Sequence, residues 1–368
     1  MIAHSINGRT ENIHAFSGKI AVITDAASAN KDDFHSADHL LVKYGAKKII
    51  RATWPENFIS EKEQMIKTVT TLAADPEIKA LILNQAVDGS NATVDKLRET
   101  RDDLFIVYCN TNEDPSASAF RANLHLMLND IGMGEAIVKQ ARKQGAKAFV
   151  HYSFERHMSK KKLSNRRDMI QKTCASEGLK FIDVTGLDPT GETGLAAAQQ
   201  FIRESVPKLV AEYGEDTAFF CTNCHLQISL IMAVVDCHAI YPQPCCPSPY
   251  HGFPEALGIE TEDAYNDLNR IISEACRIAE EKNMTDRLST WPVSSTMMFS
   301  NAGAEYAIKW IKGEVPRTSI DNRALLECMN NYITEVVGEE SNVYMTSYSE
   351  NGITYNNIKL VLMGYLDF

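Results

Sequence analysis

Short, continuous apolar runs recur along the first third of the chain, each followed by small polar residues and then by a segment with helical spacing. The runs are 19–24 (KIAVIT), 47–52 (KKIIRA), 80–83 and 104–108. Strands buried on both faces read this way, without the in–out alternation of a half-exposed sheet. The segments between them carry apolar residues three or four apart, as amphipathic helices do. In 32–44 these are Leu40, Leu41 and Tyr44, with a stop at Gly45. Met65, Ile66, Val69 and Leu72 supply the next face, ended by Asp75-Pro76, and Val94 and Leu97 the one after. Ser60 with Glu63 predicts a capping box, and Ser90 or Asn91 predicts an N-cap. Repeated strand–helix–strand units predict a parallel α/β sheet with right-handed crossovers.

A second series follows a strand predicted at 122–128 and a helix over 131–143. Its strands are 146–151 (AKAFVH), 179–184 and 216–220, and its helices 160–177, 193–213 and 226–235, the second interrupted near Pro207. A proline-rich loop at 241–254 precedes an amphipathic helix over 261–282. After Trp291-Pro292 the pattern predicts helices at 296–312 and 321–336, then an antiparallel hairpin, 343–347 with 353–362, turning near Asn351-Gly352.

A chain of 368 residues exceeds one typical core and predicts two domains. Its 44% hydrophobic and 23% charged residues are those of an ordinary globular protein. The net charge of -11 argues against a nucleic-acid partner, which needs a basic face. No apolar run reaches the roughly twenty residues of a membrane span. The first residues have no apolar core, so the sequence as it stands predicts a cytoplasmic chain. Nine cysteines, an odd number, fit reduced thiols better than a disulfide framework.

The strand exits carry the candidate chemistry, because ligands of parallel sheets bind beyond the carboxyl ends of the strands. The first exit, 25–30 (DAASAN), has no glycine, which argues against a dinucleotide cofactor. Asp25, Ser28, Trp54, Asn84, Gln85, Asn110 and Asn112 stand at exits of the first series. Ser153, Arg156, His157, Asp188, Thr222 and Asn223 stand at exits of the second. Arg156 beside His157 suits an anionic group, or else pairs with Glu155 or caps backbone carbonyls. Trp54 and Trp291 suit either an aromatic plate for a ligand or packing between domains. The basic stretch Lys160–Lys162 with Arg166-Arg167 reads as a solvated face, or as a phosphate site.

Cys221-x-x-Cys224-His225 matches a c-type haem attachment pattern, a chemistry that requires export. Cys221, Cys224, His225, Cys237, His238, Cys245 and Cys246 are donors that suit zinc, but no second Cys-x-x-Cys accompanies the first. The expectation is therefore no metal and no cofactor. No nucleophile elbow or Walker loop is present. The expectation is a binding protein, and the alternative is an enzyme using His157 or the Cys221/Cys224/His225 group.

Individual stretches resemble a known family. YGAKKIIRATWPENF, ALILNQAV, FVHYSFERHMS, RRDMI, DPTGETGLAAAQQFI, DTAFFCTN and GFPEALGI together resemble a family of uncharacterised bacterial proteins, mostly predicted lipoproteins, of the type I periplasmic-binding-protein-like class. The resemblance implies two Rossmann-like α/β lobes with parallel sheets, joined by a hinge. The polar residues 1–18 read as a flexible N-terminus, and the two-lobed class places lobe one at 19–128 plus 292–368 and lobe two at 129–291, with crossovers near 125–130 and 291–296. It implies a solute-binding or ligand-sensing role, in which the lobes close on a small polar molecule such as a sugar, nucleoside or organic anion. A transporter or regulatory partner and an extracytoplasmic lipoprotein location follow from the same resemblance.

Overall fold

The computed structural model describes residues 16–28, 30–58, 60–261, 267–338 and 341–368. Seven strands form the larger sheet: β1 (Lys19–Thr24), β2 (Ile49–Thr53), β3 (Ile78–Asn84), β4 (Phe105–Cys109), β5 (Leu124–Leu128), and, from the C-terminal segment, β10 (Val343–Glu350) and β11 (Ile353–Met363). Their order is β10-β11-β5-β4-β3-β1-β2. All neighbours are parallel except the β10–β11 hairpin, and β11 runs parallel to β5. Asn351 and Gly352 turn the hairpin with φ of 50° and 79°, the left-handed backbone that tight hairpins need.

A smaller sheet contains β6 (Ala148–Ser153), β7 (Lys180–Thr185) and β8 (Thr217–Cys221), in the parallel order β7-β6-β8. Single bridges extend it through Ile240 and Tyr241. Two short strands, β9 (Ser289–Thr290) and β12 (Leu366–Asp367), pair antiparallel beside it.

The central strands of both sheets are covered on both faces, as their continuous apolar runs require. In β4, Phe105, Val107 and Cys109 enter one core and Ile106 and Tyr108 the other. In β8, Phe219 and Cys221 point to one side and Ala218 and Phe220 to the other. The helix Ser295–Lys312 lies against β3 and β4. Gly303 permits that approach, since a β-carbon there would meet Val107 Cγ1 at 3.0 Å. The helix Asn322–Val337 packs outside it. The last residues reach the core beside the smaller sheet, where Phe368 packs edge-on against Phe253 at 4.8 Å.

Several local expectations are corrected. The helix expected over 32–44 is two, Lys31–His35 and Asp38–Tyr44. At the break the Ser36 carbonyl accepts from the Asn301 side-chain amide (2.9 Å). Ser60 donates to the Asn57 carbonyl instead of capping the helix Lys62–Ala73. Neither Ser90 nor Asn91 caps the helix Ser90–Arg98. The Glu113 carboxylate, from the exit of β4, accepts from the Gly89 and Asn91 amides at 2.7 Å each. The helix Gly194–Tyr213 runs unbroken through Pro207. A four-residue helix, Glu155–Met158, precedes the helix Lys161–Glu177. The amphipathic helix expected over 261–282 spans Leu268–Glu281, and 262–266 lie outside the described residues.

Candidate ligand cleft

The carboxyl ends of β3, β4 and β5 and the exit of β8 border one cleft with a volume of about 620 Å³. Gln85, Asn110, Thr111 and Asn112 line it from the larger sheet, and Thr222, Cys224 and Ile228 from the smaller. Ser294, Ser295 and Thr296 border it at the start of the helix Ser295–Lys312. The strand exits are tied to one another by backbone bonds. The Asn110 amide donates to the Leu126 carbonyl (2.8 Å), Ala86 to Cys109 (3.1 Å), and Asn112 to Ala86 (3.1 Å).

The cleft carries charges of both signs. Asp130 accepts from Lys162 at 2.9 Å and lies 3.5 Å from the buried Arg166 guanidinium, which also covers the Phe220 ring at 5.2 Å. Asp32, in the first helix after β1, accepts from the hydroxyl of Ser248 in the proline-rich loop at 3.4 Å. Behind the wall, His157 Nδ1 and Thr222 Oγ1 are 2.9 Å apart. Burial lowers the His157 pKa to about 4, and Arg156 and Lys160 add to the effect, so the ring is neutral near neutral pH.

Four of the residues singled out in the sequence, Gln85, Asn110, Asn112 and Thr222, thus share the cleft. The others stand elsewhere. Trp54 is buried, and its indole donates to the Asn84 carbonyl at 2.9 Å, so it is a core residue and no plate for a ligand. Trp291 is fully buried, in the same core as Phe105 and Val107 of β4. Asn84 is fully buried, its amide donating to Ser36 Oγ at 3.0 Å. The Asp25 amide is bonded by Asp33, and burial raises the Asp25 pKa. Ser28 donates to Glu56 on the surface (2.7 Å). Ser153 ends β6, buried, where its carbonyl accepts from Gly186. Arg156 and Asp188 form a bidentate pair (2.6 and 2.9 Å), and Thr190 accepts from the same guanidinium. Asn223 caps the turn Cys224–Leu226 through the His225 amide.

The cysteine group is also rearranged. Cys221 is buried in the second core, and burial pushes its thiol up to about 12. Cys237 and His238 lie beyond the far end of the helix Gln227–Asp236, about 15 Å along its axis. Cys245, Cys246 and His251 instead come to Cys224, all four bordering the cleft. Lys162 and the buried Arg166, from the basic stretch read as a solvated face or a phosphate site, line the cleft, whereas His251, Asp130 and the serines at 294–295 are cleft residues that no local pattern marks.

Among solved structures, the chain is similar to a candidate transcriptional regulator from Clostridium difficile 630, with a TM-score of 0.86 and 22% identity over 96% of this chain and 100% of that one. A sugar ABC transporter from Actinomyces odontolyticus ATCC 17982 matches with a TM-score of 0.53 and 9% identity over 81% and 84%. A sugar ABC transport substrate-binding protein from Bordetella parapertussis 12822 matches with 0.52 and 12% over 95% and 89%. The fold is that of the type I periplasmic-binding-protein-like class. Two uncharacterized proteins of Treponema pallidum (strain Nichols) are similar in sequence. One is 29% identical over 178 residues (47% of this chain, 80% of that protein) and the other 28% over 197 residues (53% and 89%). The family described as protein of unknown function (DUF3798) matches residues 18–289, and the chain belongs to it.

Proposed function

We propose that this chain is a solute-binding or ligand-sensing protein whose two bodies close on a small polar molecule. One observation carries the reading. The cleft takes amide and hydroxyl groups from the strand exits of both sheets, Gln85, Asn110 and Asn112 on one side and Thr222 on the other. Its volume lies within the roughly 300–1,000 Å³ of small-molecule sites. Asp130 faces both Lys162 and Arg166, one carboxylate against two cations, so charged groups stand beside the amides and hydroxyls that would orient the solute. These groups suit a small polar molecule such as a sugar, nucleoside or organic anion. Fold similarity to sugar-transport proteins supports the same class and carries it no further.

The chain crosses between the two bodies at 129, at 291–294 and at 364–365, and these crossings would act as the hinge. On this reading 19–128 and 295–363 form one lobe, and 130–290 with 366–368 the other. A transporter or regulatory subunit would read the closed state. Native mass spectrometry of the purified chain, followed by calorimetric titration of what co-purifies, tests the proposal. Asn110→Ala and Thr222→Ala should each weaken binding of a sugar or nucleoside by about 10-fold or more, the loss of one or two buried hydrogen bonds. Unchanged affinity in both variants would remove the cleft as the binding site.

A further inference from the structure

Three thiols and one imidazole from two separate segments meet on one wall of the cleft. Cys224 opens the turn after β8, and Cys245, Cys246 and His251 belong to the proline-rich loop. Cys224 Sγ is 3.3 Å from Cys245 Sγ and 3.8 Å from Cys246 Sγ, and the two loop sulfurs are 4.0 Å apart. His251 Nε2 is 4.0 Å from Cys245 Sγ. Donor atoms of Cys224, Cys245 and His251 all lie within 4.8 Å of one another.

From this arrangement we propose that Cys224, Cys245, Cys246 and His251 bind a single Zn²⁺ ion. Zinc–sulfur bonds of about 2.3 Å directed to the corners of a tetrahedron place sulfurs about 3.8 Å apart, close to the spacings here. A disulfide would join two sulfurs and leave a third thiol and an imidazole beside it without a role. An iron–sulfur cluster spreads its thiolates over several metal atoms, so it holds them farther apart than these. Zinc binding releases the three thiol protons to solvent, takes the neutral imidazole, and needs no oxidant.

The scaffold is set without the ion. Pro242, Pro244, Pro247 and Pro249 flank the two cysteines and fix the loop backbone. Ser289 donates to the Pro242 carbonyl at 2.7 Å, and the His251 amide to Ser248 at 3.1 Å. On the other segment, the Gln227 amide donates to the carbonyls of Cys221 (3.1 Å) and Asn223 (2.6 Å). The ion therefore ties the exit of β8, which carries Thr222, to the loop opposite it. This assignment stands whether or not the cleft binds a solute.

The test uses the full chain without a histidine tag, purified under reducing conditions, stripped with a chelator and reloaded with zinc sulfate. One zinc per chain should survive desalting, measured by plasma mass spectrometry. Cobalt(II) in its place should show the intense visible absorption of a tetrahedral site with thiolate charge transfer. Cys224→Ser and Cys245→Ser should each lower zinc affinity by at least the roughly 10- to 100-fold that loss of an outer-shell partner costs. Cys246→Ser should reduce the charge-transfer intensity. Cys237→Ser, outside the cluster, should still bind one zinc. Circular dichroism verifies that each variant is folded, and His251→Gln replaces any that is not. Zinc lost on desalting, or bound equally by folded Cys224→Ser, would overturn the proposal. So would a Cys224–Cys245 disulfide in peptide maps of protein prepared without reductant, or a pale octahedral cobalt spectrum.

Discussion

Gln85 and Asn110 hold the same left-handed backbone, with φ of 50° and 48°, at the exits of the adjacent parallel strands β3 and β4. Each turns the chain sharply at the sheet edge and leaves its side chain bordering the cleft. A side chain other than glycine or asparagine in this conformation costs about 1–2 kcal/mol, and such strain clusters at binding sites.

Gln85→Val should therefore destabilise the protein by about 1–2 kcal/mol relative to Gln85→Gly, because a branched β-carbon suits the left-handed region worst. Urea unfolding of the two variants measures the difference. Both variants lose the amide, so both should bind solute more weakly than the parent. Equal unfolding midpoints would show that the turn relaxes out of the left-handed region.

Trp54 joins β2 to the core rather than to a ligand. Trp54→Phe removes the indole donor from the Asn84 carbonyl and should cost about 1–3 kcal/mol. Trp54→Ala adds a cavity and should cost about 3–5 kcal/mol. Solute affinity, measured below the unfolding transition, should be that of the parent. A selective loss of affinity with unchanged stability would return Trp54 to the binding surface.

His125 lies buried in β5, its ring edge-on to Tyr108 at 5.1 Å, and burial lowers its pKa to about 3. The unfolded imidazole titrates near 6.5. The folded protein thus keeps the ring neutral where the unfolded chain takes up a proton. The stability linked to this group is complete above about pH 6.5 and is lost as the pH falls from there through about 3. Stability of His125→Leu should fall less steeply than that of the parent between pH 7 and about 4. Comparing urea midpoints of the two proteins cancels the contributions of groups common to both. Parallel curves would contradict a neutral buried ring.

Pro207 lies exposed inside the helix Gly194–Tyr213, where it leaves the Arg203 carbonyl without its helical partner. Pro207→Ala restores that bond and should stabilise the protein by about 2 kcal/mol, the helix gain less the unfolded-state entropy that proline removes. A rise in the urea midpoint measures it. A fall would mean that the proline ring packs against something the alanine methyl cannot replace.

The strands and their burial on both faces were legible in the sequence because the signal is local. Runs such as KIAVIT and the residues of β4 can satisfy a pleated backbone only inside a sheet covered on both sides. The same is true of the small polar residues that follow each run. Gln85, Asn110, Asn112 and Thr222 stand where any parallel sheet exposes its strand ends.

Which of the strand-exit residues face the cleft depended on partners distant in sequence. Trp54 precedes a proline in a loop, a context that reads alike whether the ring is exposed or buried, and the Asn84 carbonyl decided it. Arg156 turned to Asp188 because the exits of β6 and β7 are adjacent in the small sheet. Glu113 capped a helix that begins more than twenty residues before it. The sulfur cluster is the clearest case. Cys224 and Cys245 are separated by a helix and a loop, and His251 has no ligand spacing to either. Local pattern thus determined the elements and the sheet faces. The pairing of distant side chains, which fixes the cleft and its chemistry, was decided only when the sheets brought those segments together.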